Sequence, residues 1–272
     1  VARVAQVAPH LDRSVNDSLH LDRQANLLPL WTLATDGARP DDPERHLCEL
    51  AGIDPRELAF HDILTFPTER PARFGRHDEF LASSRLDNLS SVHAALVALE
   101  ALAREDSEPD EPVVMIANDH EEVGSATRSG AGGPLLETVL GRLSGLLGVA
   151  CDARAAMLAR SICVSADAGH AVHPGYPQLH DPAVRPALNR GPLIKINAQQ
   201  RYATDAVGAA VWLRACAAAG VPVQSFVSSN AVPCGSTIGP ITSTRLGITT
   251  VDVGQPLLSM HSQREMCGVA DG

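Results

Sequence analysis

Four consecutive residues, Asp119-His120-Glu121-Glu122, put three carboxylates and an imidazole into one short segment. Two glutamates crowded at the end of a buried strand repel each other and cannot both ionise cheaply unless a cation lies beside them. A metal ion meets that need. In extended chain, successive side chains point to opposite sides, so Glu122 is expected to bind the ion while Glu121 faces an attacking water as proton acceptor. Asp167 follows the apolar run Ser161-Ile162-Cys163-Val164-Ser165, the strand end where an open α/β sheet places its chemistry. Asp87 stands at a helix start, suited either to cap free N–H groups or to bridge two metal ions. His261, in Leu258-Ser259-Met260-His261-Ser262, follows a strand and marks an apparent helix start. A lone histidine is usually an ordinary packed residue, so His261 gains weight only from the carboxylates. Carboxylate and imidazole donors together suit zinc, cobalt or manganese performing a hydrolysis.

Other polar residues say less alone. His170 and His173 lie in a loop, as ligands, substrate contacts or ordinary histidines. Lys195 stands inside the apolar strand Leu193-Ile194-Lys195-Ile196 and needs an acidic partner or an anionic ligand there, which hints at recognition of a carboxylate. Cys234-Gly235-Ser236-Thr237-Ile238-Gly239-Pro240 lacks the Gly-Lys-Ser/Thr ending of a phosphate loop and reads as a tight active-site turn. No Gly-x-Ser-x-Gly elbow supports a serine hydrolase.

The elements that must position these groups follow from periodicity. Up to about residue 76 the chain is rich in Pro, Asp, Arg and His, with short apolar pieces that read as strands and loops. Val92, Ala95, Leu96, Leu99 and Leu102 then follow helical spacing, and the polar run from Arg104 to Glu111 ends that helix. Pro112 to Ala117 reads as a strand buried on both faces, and Leu135 to Leu147 as a helix. Strands are expected at 161–165, 193–196, 223–227 and 248–251, with a helix from Asp205 to Ala219. The expected fold is α/β, a mixed, largely parallel sheet flanked by helices.

Composition narrows the partners. The formal net charge is −10, with no basic block to track a phosphate backbone, so nucleic acid is not expected. No apolar run approaches a membrane span. Six scattered cysteines without a CxxC pair read as reduced thiols in a cytoplasmic protein.

Taken in order, Ser84-Arg85-Leu86-Asp87-Asn88-Leu89, Asp119-His120-Glu121-Glu122-Val123-Gly124-Ser125, His170-Ala171-Val172-His173-Pro174, Lys195-Ile196-Asn197, Gln200-Arg201-Tyr202-Ala203-Thr204-Asp205, Cys234 to Pro240 and Ser259-Met260-His261-Ser262 resemble the aspartyl aminopeptidases. The likeness runs from about His10 to the last residue. It implies two zinc ions per subunit, bridged by Asp87, with Asp167 on one and Glu122 and His261 on the other. It also implies Glu121 as general base, and His170, Lys195 and Tyr202 as substrate contacts, Lys195 suiting an acidic first residue. Peptides with N-terminal Asp or Glu are the implied substrates.

The segment Pro9-His10-Leu11-Asp12-Arg13 resembles the family's smaller, inserted domain, whose matching His reaches the partner subunit's active site. Residues 1–76 are therefore expected to be the C-terminal part of a β-rich dimerisation domain, and 77–272 a catalytic domain of the zinc exopeptidase type. Dimers building a dodecamer are the implied assembly. The family's first metal ligand is a His in a His-Thr-Asp-Ser-Pro-like segment, which does not occur here. The chain is thus expected to be incomplete at both ends, lacking also most of a helix continuing Met260-His261, and to be inactive by itself. Two rival readings are a non-catalytic assembly subunit and a two-metal deacylase or aminopeptidase of other specificity.

Overall fold

Backbone contacts in the computed structural model, which describes residues 1–272 except 6, 15–16, 34–42 and 106–110, divide the chain into Val1–Phe66 and Pro67–Gly272. The division falls before residue 76 because the segment Ala72–Phe74 pairs with Phe80–Ser83 of the second unit.

In the first unit, the described residues form an isolated antiparallel bridge between Arg3 and Leu30 and one helix, α1 (Pro43–Ala51). A short 3₁₀ turn, Pro55–Glu57, follows. Asp54 accepts from the backbone N–H of Arg56 while the Glu57 side chain accepts from the Asp54 N–H, a reciprocal cap that satisfies donors a turn leaves free. The apolar piece Ile63-Leu64-Thr65-Phe66 joins no sheet. Among the described residues, the single bridge is the β structure of this unit.

The second unit carries two sheets. One has the order β3-β7-β5-β6, with β3 (Ile162–Ala166), β5 (Leu193–Lys195), β6 (Gln224–Phe226) and β7 (Thr249–Gly254). β3 runs parallel to β7 and β5 parallel to β6, while β5 is antiparallel to β7. The other sheet has the order β1-β2-β9-β8-β4, with β1 (Ala72–Phe74), β2 (Phe80–Ser83), β4 (Gly169–His170), β8 (Pro256–Leu258) and β9 (Glu265–Gly268). Helices α2 (Leu86–Ala103), α3 (Leu135–Leu146), α4 (Cys151–Arg160), α5 (Ala206–Ala219) and α6 (Gly239–Leu246) accompany them. The α5 helix shows how locally these elements are specified: Asp205 accepts from the Gly208 N–H at its start, and Gly220, at φ 68°, ends it.

Ile194, Val251 and Val253 form one apolar cluster with Ala209 and Trp212 of α5. Leu193, Tyr202 and Phe226 form a second, and Leu86 and Ala168 pack on Leu257 of β8 and Cys267 of β9 to form a third.

Two expectations change. The run Pro112–Ala117 joins no ladder among the described residues, and Val113 and Val114 are 56% and 45% exposed, so it is not a strand buried on both faces. Apolar composition marks a segment that can pair; it does not supply the pairing partner. Met260-His261 begins no helix, because the residues that follow are claimed by β9, which pairs with both β2 and β8. Part of the polar run from Arg104 to Glu111 lies outside the described residues, and α2 ends at Ala103.

Leu193 is fully buried and supports Tyr202 and Phe226. Leu193→Ala is expected to cost about 2–5 kcal/mol, read as a lower denaturant midpoint, because the strand backbone around it cannot collapse into the space.

Candidate metal centre

Asp87 belongs by sequence to α2, yet its backbone is not helical, with φ −83° and ψ 104°. Arg85 occupies the cap position in the left-handed region, and no side chain caps the helix. The Asp87 side chain is not the cap of this helix. Its carboxylate, only 7% exposed, turns to His261, whose Nε2 lies 3.1 Å from Asp87 Oδ2 and 3.2 Å from Glu122 Oε2.

His261 reaches that place from the turn joining β8 to β9. Its own φ is 64°, a left-handed conformation that costs free energy in a residue with a Cβ and marks a constrained position. Glu121 and Glu122 are placed by a different device from strand alternation. His120, at φ 59°, turns the chain into a 3₁₀ segment, Glu121–Val123, and both glutamates line the same cleft.

Asp167 follows β3 as expected. It is held there because Gly254 at the end of β7 touches its carbonyl: a Cβ on Gly254 would lie 1.7 Å from Asp167 O, so only glycine fits. Lys195 arrives from β5. It is 3% exposed and donates to Asp167 Oδ2 at 3.1 Å and to the Ala168 carbonyl at 2.7 Å, while its ammonium sits 5.5 Å from the Tyr202 ring centroid. His170 packs its ring near Phe226, centroids 6.2 Å apart.

These eight predicted residues, Asp87, Glu121, Glu122, Asp167, His170, Lys195, Tyr202 and His261, line one cleft of about 130 Å³. His10 belongs to the first unit, where it is exposed in a turn.

The charge distribution calls for a cation. Burial above all, then the Asp167 and Glu122 carboxylates, push Asp87 up from its ordinary value of 3.8 to about 7. Glu121 is raised as well, by burial first and then by the same two neighbours, with Lys195 and His261 opposing. Burial also raises the Tyr202 phenol, keeping it a neutral hydrogen-bond donor. Donor atoms of Asp87, Glu122 and His261 all lie within 4.8 Å of one another. Two carboxylates and an imidazole converging in this way fit a divalent ion of the zinc type.

The whole chain, residues 1–272, matches the family model described as aminopeptidase I zinc metalloprotease (M18). The chain belongs to the M18 aminopeptidase family. A probable M18 family aminopeptidase 2 of Streptomyces coelicolor is 47% identical over 270 residues, 99% of this chain and 62% of that protein. The chain thus spans 62% of the length of that curated relative. Among solved structures, that of prApe1 superposes with a TM-score of 0.89 at 30% identity, covering all of this chain and 60% of that one. The mApe1 dodecamer of S. cerevisiae gives 0.78 at 28% identity, with 100% and 59% coverage.

Within this M18 chain, two site-supporting residues escaped sequence reasoning. Asn88 donates from Nδ2 to the Ala166 carbonyl at 2.7 Å and accepts from the Ala168 N–H at 3.2 Å, bracketing Asp167. Asp252, fully buried, accepts from the Ala203 N–H and the Thr237 hydroxyl and so ties together two segments that wall the cleft. The legible signal was an aspartate inside the apolar run Ile248–Val253.

The raised Asp87 gives a pH test. In metal-free protein the folded state retains a proton that the unfolded state releases above about pH 4, so this group's contribution to stability is full below that pH and falls as pH rises toward 7. Metal-free protein is therefore expected to lose stability between about pH 5 and about pH 8. Asp87→Asn should flatten that loss and saturating zinc should oppose it. Urea midpoints at the two pH values check this, and equal pH dependence in wild type and variant would contradict it.

Proposed function

We propose that the full-length protein is a zinc-dependent aminopeptidase that removes acidic residues, Asp or Glu, from the N-termini of peptides. The observation that carries this reading is the convergence of Asp87, Glu122 and His261 donor atoms beside Glu121 in one cleft. The M18 family membership supports the class of reaction.

In this reading Asp87, Asp167, Glu122 and His261 would hold two ions per subunit. Zinc supplies Lewis-acid polarisation of the scissile carbonyl and makes water more acidic; cobalt or manganese could serve. Glu121 accepts a proton from the attacking water as its oxygen bonds to the carbonyl carbon, and delivers it to the leaving amine as the C–N bond breaks. The raised pKa of Glu121 suits a group that must both take and return a proton. His170, Tyr202 and Lys195 contact the substrate. Lys195 is the one Lys or Arg among the cleft's lining residues, which favours an anionic first side chain, although Asp167 already pairs with it.

The first unit is assigned to the inserted dimerisation domain, with His10 directed to a partner subunit's site, and the assembly to dimers forming a dodecamer. The mApe1 relative solved as a dodecamer supports that reading. Among the described residues no helix is long and apolar enough to cross a membrane, and the six cysteines are free, which favours a cytoplasmic setting.

Glu121→Gln is expected to lower kcat by roughly 10²–10⁴-fold with bound zinc retained, measured by metal analysis alongside peptide hydrolysis. Undiminished activity would remove Glu121 as the base. Aspartyl substrates should be cleaved faster than leucyl or N-acyl ones, and Lys195→Ala should erode that preference. A leucyl substrate cleaved fastest would favour an M18 enzyme of other specificity, and an unchanged preference in Lys195→Ala would exclude Lys195 as the selector.

A further inference from the structure

Glu265 is 2% exposed at the start of β9, paired across the sheet with Ser83 of β2. A buried carboxylate must find hydrogen-bond donors, and its partners here are specific. Oε2 accepts from the backbone N–H of Asp87 at 2.9 Å, and Oε1 accepts from the backbone N–H of His261 at 2.7 Å. Those two residues are 174 apart in sequence and supply two of the three converging donors. Glu265 itself is outside the donor cluster and outside the residues that line the cleft.

We propose that Glu265 is the positioning residue of the metal centre, fixing Asp87 and His261 to one strand so that their donors are in place before an ion arrives. The inference rests on the metal-centre reading of the cleft. Both segments it holds need such a clamp. Asp87 has left helical geometry, and His261 sits in a left-handed turn, so neither has a regular ladder to define it. β9 supplies rigidity because it is bonded on both sides, to β2 and to β8. One oxygen per amide makes the requirement strict. An amide side chain has a single acceptor oxygen, so Glu265→Gln would turn its NH₂ toward the second N–H, donor facing donor. Groups that orient metal ligands from behind typically account for about 10–100-fold in metal affinity.

The experiment uses the purified full-length protein and zinc alone as the probe. Zinc affinity is measured by competition with a chromophoric chelator, and amide hydrogen exchange at Asp87 and His261 is followed in the metal-free form. Cys267→Ala, a truncation of another buried β9 residue, is the control for general loosening of the strand. Glu265→Gln is expected to lower zinc affinity about 10–100-fold and to speed exchange at both amides, with Cys267→Ala leaving both unchanged. Wild-type affinity in Glu265→Gln, or an equal loss in both variants, would overturn the positioning role while leaving the metal centre intact. Failure of the wild type to bind zinc would overturn both readings. Unchanged exchange at the two amides in Glu265→Gln would overturn the clamp whatever the zinc result.

Discussion

Carboxylate crowding is the constraint around which the second unit is arranged. Asp87, Glu121, Glu122 and Asp167 share one cleft with a single lysine, and Asp87 is pushed up to about 7 where no counter-charge relieves it. Charges so placed would be a defect in an ordinary core, since burying one without a partner costs several kcal/mol. They make sense as a set of donors awaiting a cation. The backbone beside them is correspondingly irregular: Arg85, His120 and His261 all adopt left-handed φ values next to or at the acidic and imidazole groups. Such conformations persist only where the surroundings enforce them.

Buried polar groups, and not apolar packing alone, tie the segments around the cleft together. Asn88 brackets Asp167, Gly254 leaves room for its carbonyl, and Asp252 joins the segment before α5 to the turn before α6. Lys195 enters from a strand antiparallel to β7 and balances Asp167 from within the sheet. That ion pair engages its charge within the structure.

Kinship and geometry bear on different parts of the reading. Similarity across the whole chain shows the M18 family, and the superposition on prApe1 shows that the fold is shared. Neither selects the substrate's first side chain, which depends on a few pocket groups. In this chain the donor atoms of Asp87, Glu122 and His261 converge, and Glu121 and Asp167 line the same cleft.

Much of the site was legible because chemistry restricts residue type: adjacent glutamates after an apolar run, an aspartate past a strand and a lysine inside one each need an explanation that few environments provide. Helices such as α5 were legible because their caps and periodicity are local. What only tertiary structure decided was pairing and direction. Residues 112–117 are as apolar as β3 yet join no ladder among the described residues, and the chain after His261 returns as β9 instead of starting a helix. Sequence alone left Asp87 as a cap or a ligand, and only the structure shows its backbone outside helical geometry and its carboxylate against His261. Glu265 gave no local signal at all, because the two amides it holds are brought to it only when β2, β8 and β9 assemble. Residue type sets which chemistry is affordable, whereas the meeting of groups far apart in sequence is settled by hydrogen-bond ladders that no local pattern contains.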